Sequence, residues 1–177
     1  MDNLYFIALL PPEDLQFSVN QFKEIAWEKF HSRQALKSPP HITLVPPQRW
    51  KASTAAMVKK KMQNWAGGQI PFSIQLQDFG AFVPRVVYIQ VVSTPALETI
   101  HQECNQILKP YLEKIDPRPY HPHMTIAFKD LSQSAFYRAW DYFRQIPFTS
   151  SFRVDSITLL IHQEGRWKVE DNWLLRQ

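Results

Sequence analysis

One short pattern occurs twice and constrains this chain more than anything else in it. Pro40-His41-Ile42-Thr43-Leu44 and Pro122-His123-Met124-Thr125-Ile126 share the order proline, histidine, apolar, threonine, apolar, about eighty residues apart in a chain of 177. At ordinary composition a given histidine is followed by apolar, threonine, apolar on the order of one time in a hundred. The chain has six histidines, so two chance copies are not expected. Each proline pushes the residue before it out of the helical region, and each copy therefore reads as a strand. Side chains alternate along a strand, so His41 and Thr43 share one face while Ile42 and Leu44 take the other, and His123 and Thr125 stand likewise against Met124 and Ile126. Each copy also follows a long helical pattern. The reading is a duplication: two similar lobes that bring two imidazoles and two hydroxyls to one cleft.

The rest of the chain fits that frame. Leu4 to Leu10 is a short apolar run ended by Pro11 and Pro12, and reads as a buried strand. Leu15, Val19, Phe22, Ala26 and Phe30 repeat at three and four residues and predict an amphipathic helix over 13–35. A second helix is expected from a cap at Ser53 or Thr54 to Trp65, stopped by Gly67 and Gly68. Phe72, Ile74 and Leu76 alternate with polar residues as a half-buried strand, Val86 to Val92 is another, and 78–85 reads as the loop between them. Thr94 and Pro95 open a helix whose stripe runs through Leu97, Ile100, Cys104, Ile107, Leu108 and Tyr111, which makes Cys104 a buried structural thiol. A strand at 122–128, a helix from Ser132 to Gln145, and strands at 152–161 and 166–174 complete the chain. No linker or low-complexity stretch divides it. The expected fold is α+β over 1–177 as a single domain, with two mainly antiparallel sheets facing across a central cleft and helices outside.

Composition removes most other chemistry. Only four glycines are present and only Gly67 and Gly68 adjoin, so neither a G-x-x-x-x-G-K-[ST] phosphate loop nor a G-x-G-x-x-G fingerprint can be written. The single cysteine excludes disulfide frameworks, C-x-x-C pairs and cysteine-rich zinc sites, and points to a reducing, cytoplasmic setting. No run approaches eighteen apolar residues and the N-terminus lacks a basic region with a cleavage site, so the chain reads as soluble and without a membrane partner. A net charge of +4 with scattered basic residues suits a single phosphate better than a nucleic-acid coat.

Two imidazoles flanking one anion suit phosphodiester chemistry. An imidazole of pKa ~6.5 populates both forms near neutrality, so one ring can take a proton from water while the other gives one to the leaving oxygen. The threonine hydroxyls can donate to the non-bridging oxygens where charge gathers. This needs no cofactor and no metal. A metal site formed by His41, His121 and His123 is the competing reading, and it leaves the paired threonines without a role. A structural reading, two half-buried histidines satisfied by neighbours, would leave the repeat unexplained.

The paired motifs, the opening LYFIALLPP, the segment DFGAFVPRVVYIQV and the ending FRVDSITLLIHQEGRWKV together resemble the 2H phosphoesterase superfamily, and within it the bacterial 2'-5' RNA ligase and RNA 2',3'-cyclic phosphodiesterase group. The resemblance covers essentially the whole chain. It implies a bilobal fold and a metal-free enzyme that opens 2',3'-cyclic phosphate ends of RNA or nucleotides to 2'-phosphates, with reversible 2'-5' RNA ligation as an accompanying activity. It also implies that His41 is the proton donor, His123 the acceptor, and Thr43 and Thr125 the phosphate-binding residues. The expected partner is an RNA end or cyclic nucleotide, and the expected state a monomer. A small-molecule cyclic phosphate is a second substrate class, and a non-catalytic module binding RNA or a phosphate end in the same cleft is the alternative function. The chain departs from the family in lacking a basic residue directly after either motif. Lys129, on the His123 face by alternation, is a candidate substitute, and Arg85, Phe82 and Tyr88 are candidates to clamp and stack a base.

Overall fold

The two faces read from the repeat become two four-stranded sheets, each antiparallel throughout. The computed structural model describes residues 2–113 and 115–176. In chain order the elements are β1 Asn3–Leu9, α1 Glu13–Phe30, β2 Ile42–Trp50, α2 Ala52–Ala66, β3 Phe72–Phe82, β4 Val86–Val91, α3 Pro95–Leu108, β5 His123–Ala127, α4 Gln133–Phe143, β6 Thr149–Val154, β7 Ser156–Gln163 and β8 Arg166–Leu174. Short 3-10 turns at Gln34–Lys37 and Lys109–Tyr111 precede the two motif strands. The first sheet has the order β2-β1-β7-β8 and the second β5-β4-β3-β6. Each motif strand is therefore an edge strand, β2 beside β1 and β5 beside β4.

Alternation decides what each face does. Ile42, Leu44, Met124 and Ile126 are fully buried in the main core, together with Tyr5, Ile7 and Leu9 of β1 and Ile157, Leu159 and Ile161 of β7. The opposite face of the first sheet carries a small separate cluster of Phe6, Ala8 and Leu160. The long helices exchange lobes. Helix α1 leaves β1 of the first sheet and packs on the second, where Phe22 meets Phe79 of β3 edge-on at 5.0 Å and Phe30 lies 6.1 Å from Phe143 of α4. Helix α3 leaves β4 of the second sheet and packs beside the first, where Asn105 Nδ2 donates to the Leu44 carbonyl of β2 at 2.9 Å. One continuous core results, built from both sheets and all four helices.

Several boundaries differ from the sequence expectation, each for an identifiable reason. The first helix ends at Phe30 because His31 adopts a left-handed C-cap at φ 58°. Strand β2 runs on through Pro46 and Pro47, which an edge strand tolerates because its outward groups need no ladder partner. Helix α2 has Lys51 at its N-cap, with Ser53 and Thr54 inside its first turn and no side-chain cap bond. The segment expected as a loop at 78–85 is largely strand: β3 continues to Phe82, with a bulge at Asp78, whose φ is 56°. Asp78 is held there by its backbone N–H to the Phe148 carbonyl at 2.6 Å and by Phe148 N–H to its carboxylate at 3.0 Å. The expected strand at 152–161 is two strands that part at Asp155, β6 completing the second sheet and β7 entering the first. No helix among the described residues is long and apolar enough to cross a membrane.

Candidate active site

On the first sheet, His41 stands just before β2 with its Nδ1 donating to the Pro39 carbonyl at 2.7 Å. A carbonyl only accepts, so this contact puts a proton on Nδ1 and leaves Nε2 as the free nitrogen. Phe6 packs against the imidazole at 4.8 Å between ring centroids and is backed edge-on by Trp167 at 4.6 Å. Thr43 is paired in register with Ala8, Ala8 with Thr158, and Thr158 with Asn172, so a polar row crosses this face beside the motif. Within it Thr158 Oγ1 donates to Asn172 Oδ1 at 3.0 Å.

The second sheet repeats the arrangement with different neighbours. His123 Nδ1 donates to the His121 carbonyl at 2.7 Å, again two residues upstream. Thr125 is paired with Tyr88 and Tyr88 with Gly80, so Tyr88 occupies the place that Ala8 holds beside Thr43. A tyrosine fits only because residue 80 is glycine: a Cβ there would sit 2.7 Å from Tyr88 Cζ and 2.8 Å from its hydroxyl. The ring then spreads across β3 and meets Phe82 at 4.5 Å and His123 at 5.2 Å. Phe82 closes on His123 at 4.9 Å and on His121 at 5.1 Å. The Tyr88 hydroxyl lies 3.2 Å from His121 Nε2, so His121 turns to tyrosine.

Both motif histidines resist protonation. Burial pushes His41 from 6.5 down to about 4, outweighing the Pro39 carbonyl, and the positive charges of Lys23 and His123 add to the fall. Burial also lowers His123, against the His121 carbonyl, with His121 adding to the depression. Strands β2 and β5, which carry the two motifs, lie in contact with one another. The structure thus brings His41, Thr43, His123 and Thr125 to matched positions on two edge strands, one in each sheet.

Other sequence candidates divide. Phe82 and Tyr88 surround His123, as described. Lys129 does not continue the β5 alternation, because the strand ends at Ala127 and Lys129 takes φ 59°. It lies instead with Arg85, Phe128 and Gln133 around a separate surface cavity of about 540 Å³. His101 stacks flat on Tyr120 at 3.6 Å and 5°. Among the described residues no three histidine, cysteine or acidic side chains stand close enough to hold a metal. Phe6, Trp167, Thr158 and Asn172 were not expected near the motifs. Phe6 sits in a run apolar on both faces, which hides the alternation, and the other three reach the motif only through strand order.

The matched histidine and threonine strands on an interlocked two-sheet fold define a class, and comparison with known proteins agrees. The chain belongs to the 2'-5' RNA ligase superfamily, whose family model matches residues 11–166. A protein of Geobacillus kaustophilus provisionally named a phosphoesterase is 25% identical over 97% of this chain and 95% of its own length. One of Bacillus cytotoxicus, named in the same way, is 27% identical over 96% and 95%. Among solved structures, Escherichia coli LigT complexed with 3'-AMP shares the fold at a TM-score of 0.74, with 20% identity and full coverage of both chains.

Proposed function

We propose that this protein is a metal-independent phosphodiesterase that opens 2',3'-cyclic phosphate ends of RNA or nucleotides to 2'-phosphates. The observation that carries the reading is the matched anchoring of His41 and His123, each with Nδ1 at 2.7 Å from the carbonyl two residues upstream and with no hydrogen-bond partner for Nε2 among the described residues, and each followed two residues on by a threonine. In the step, His123 Nε2 takes a proton from water, whose oxygen bonds to phosphorus as the bond to the 3'-oxygen breaks. His41, protonated at Nε2, gives its proton to that leaving oxygen. Thr43 and Thr125 donate to the non-bridging oxygens, where hydrogen bonds count most as charge develops. With a 5'-hydroxyl in place of water the same transfers form a 2'-5' linkage.

Donation by His41 requires the bound phosphate to supply the negative charge that burial withholds, since in the free protein His41 is protonated only near pH 4. A fold relative, LigT, is known in complex with 3'-AMP, which supports a nucleotide or RNA end as substrate.

Chelator-treated protein is to be incubated with 2',3'-cyclic mononucleotides and with an RNA bearing a cyclic phosphate end, and the product phosphate located by phosphorus NMR. A 2'-phosphate is expected, with His41→Ala and His123→Ala each about 10²–10⁴-fold slower at unchanged circular dichroism. Retained turnover in either variant overturns the mechanism. Binding without product under every pH and metal condition would favour the binding-module reading.

A further inference from the structure

Lys23 is the strongest unexplained group in the molecule. It lies in the middle of α1, 1% exposed, and among the described residues no carboxylate stands within ion-pair distance of it. Burying an ammonium without a counter-charge is costly, and an apolar side chain at this position would avoid that cost. Its Nζ donates to the Ala35 carbonyl at 3.0 Å and to the Ser38 carbonyl at 3.0 Å. Those carbonyls belong to the connection that leads from α1 to the first motif. Pro39 and Pro40 follow, and neither has an N–H with which the backbone could brace itself. The next carbonyl along, that of Pro39, receives the Nδ1 proton of His41.

We propose that Lys23 is a positioning residue for His41: from α1 it clamps the Ala35 and Ser38 carbonyls, and so fixes the proline turn whose carbonyl sets the orientation and tautomer of the imidazole. The proposal rests on the catalytic reading of His41 given above. The second lobe offers a parallel. Asn105 stands on α3 as far ahead of His123 as Lys23 stands ahead of His41, and it too spends its side chain on a carbonyl of the first motif's segment, that of Leu44. The first motif is thus held from both long helices. The Lys23 charge also opposes protonation of His41, in the same direction as burial and as His123. Its own ammonium is depressed by burial to about 7, so clamp and charge both weaken above neutrality.

The test is Lys23→Met, which keeps an unbranched apolar stem and removes the donors. Nitrogen-15 histidine spectra should show His41 of the parent protein as a single Nδ1–H tautomer. In the variant a mixture of tautomers should appear, and the titration midpoint of His41 should move upward. Steady-state kinetics on a 2',3'-cyclic nucleotide should show kcat lower by about 10- to 100-fold, the scale of a small misplacement of a reacting group, with KM within about twofold. An unchanged tautomer and midpoint in the variant overturn the proposal. Should the variant fail to fold, the parent protein decides: the ring resonances of His41 must shift again through the pH range in which the Lys23 Cε signal titrates, and their indifference there refutes the coupling. Absence of turnover on any cyclic phosphate defeats the functional reading alone, because the tautomer and titration measurements need no substrate.

Discussion

The hydroxyl of Tyr120 donates to the carbonyl of Thr43 across 3.0 Å, so the segment entering the second motif strand is tied to the first. Strand β2 is an edge, and its outward carbonyls have no ladder partner. Tyr120 and Asn105 supply two of the missing donors, to Thr43 and Leu44. Burial, with Cys104 adding, raises the Tyr120 phenol well above its usual range, which keeps it a donor at any ordinary pH.

Tyr120→Phe removes that donor while leaving the ring to stack on His101. The expected loss is about 1 kcal/mol of stability in urea unfolding, the usual net worth of such a bond. A fall in kcat/KM of a few-fold should accompany it, as the backbone that carries Thr43 loses its brace. A midpoint equal to that of the parent would show that water replaces the tyrosine without cost.

Gly80→Ala tests the close approach on the second sheet. The added methyl must displace the Tyr88 ring, and with it the packing around His121 and His123. A loss of about 1–3 kcal/mol is expected, as for other overpacked sites. Tyr88→Ala in the same chain should recover part of it, so the two substitutions should be non-additive in thermal unfolding. Additive losses would mean that the ring does not rest on residue 80.

The motifs announced themselves, because strand alternation is local and two copies could be compared. What joins the motifs was harder to see. The 152–161 stretch reads as continuous strand because no glycine or proline marks the crossing at Asp155, where one sheet ends and the other begins. Gly80 reads as a loop signal, although its reason is a ring from the neighbouring strand. Lys23 did leave a trace: it stands four residues after Val19 and three before Ala26, on the apolar stripe of α1, where a charge is out of place. Tyr120 left none, since its partner Thr43 is distant in sequence and lies in the other lobe.

The pH dependence of turnover follows from the two imidazoles. One must be protonated and the other neutral, and both are depressed in the free protein, His41 to about 4 and His123 below 6.5. The profile of kcat/KM should therefore be bell-shaped with its acidic limb near pH 4 and its basic limb below 6.5, whichever histidine is the donor. A bound phosphate stabilises the imidazolium, so the kcat profile should lie at higher pH than that of kcat/KM. Profiles that coincide would mean that substrate charge does not reach the histidines, and would remove the basis for His41 as donor.

Folding stability should record Lys23 directly. The unfolded chain holds the lysine proton up to its ordinary value of 10.5, whereas the folded protein releases it from about 7. Between those values the unfolded state binds more protons, and stability rises with pH. Cys104, Tyr120 and Tyr88 oppose this, because burial raises all three in the folded protein, but only as the pH reaches their ordinary values of 9.0 for the thiol and 10.0 for the phenols. Urea midpoints should accordingly climb from pH 7 toward 9 and then flatten or fall. In Lys23→Met the climb should vanish while the decline at higher pH remains. A parent protein with a flat midpoint from pH 7 to 9 would mean that the Lys23 ammonium is retained inside the fold, and that the two carbonyls and their surroundings stabilise the charge as well as water does.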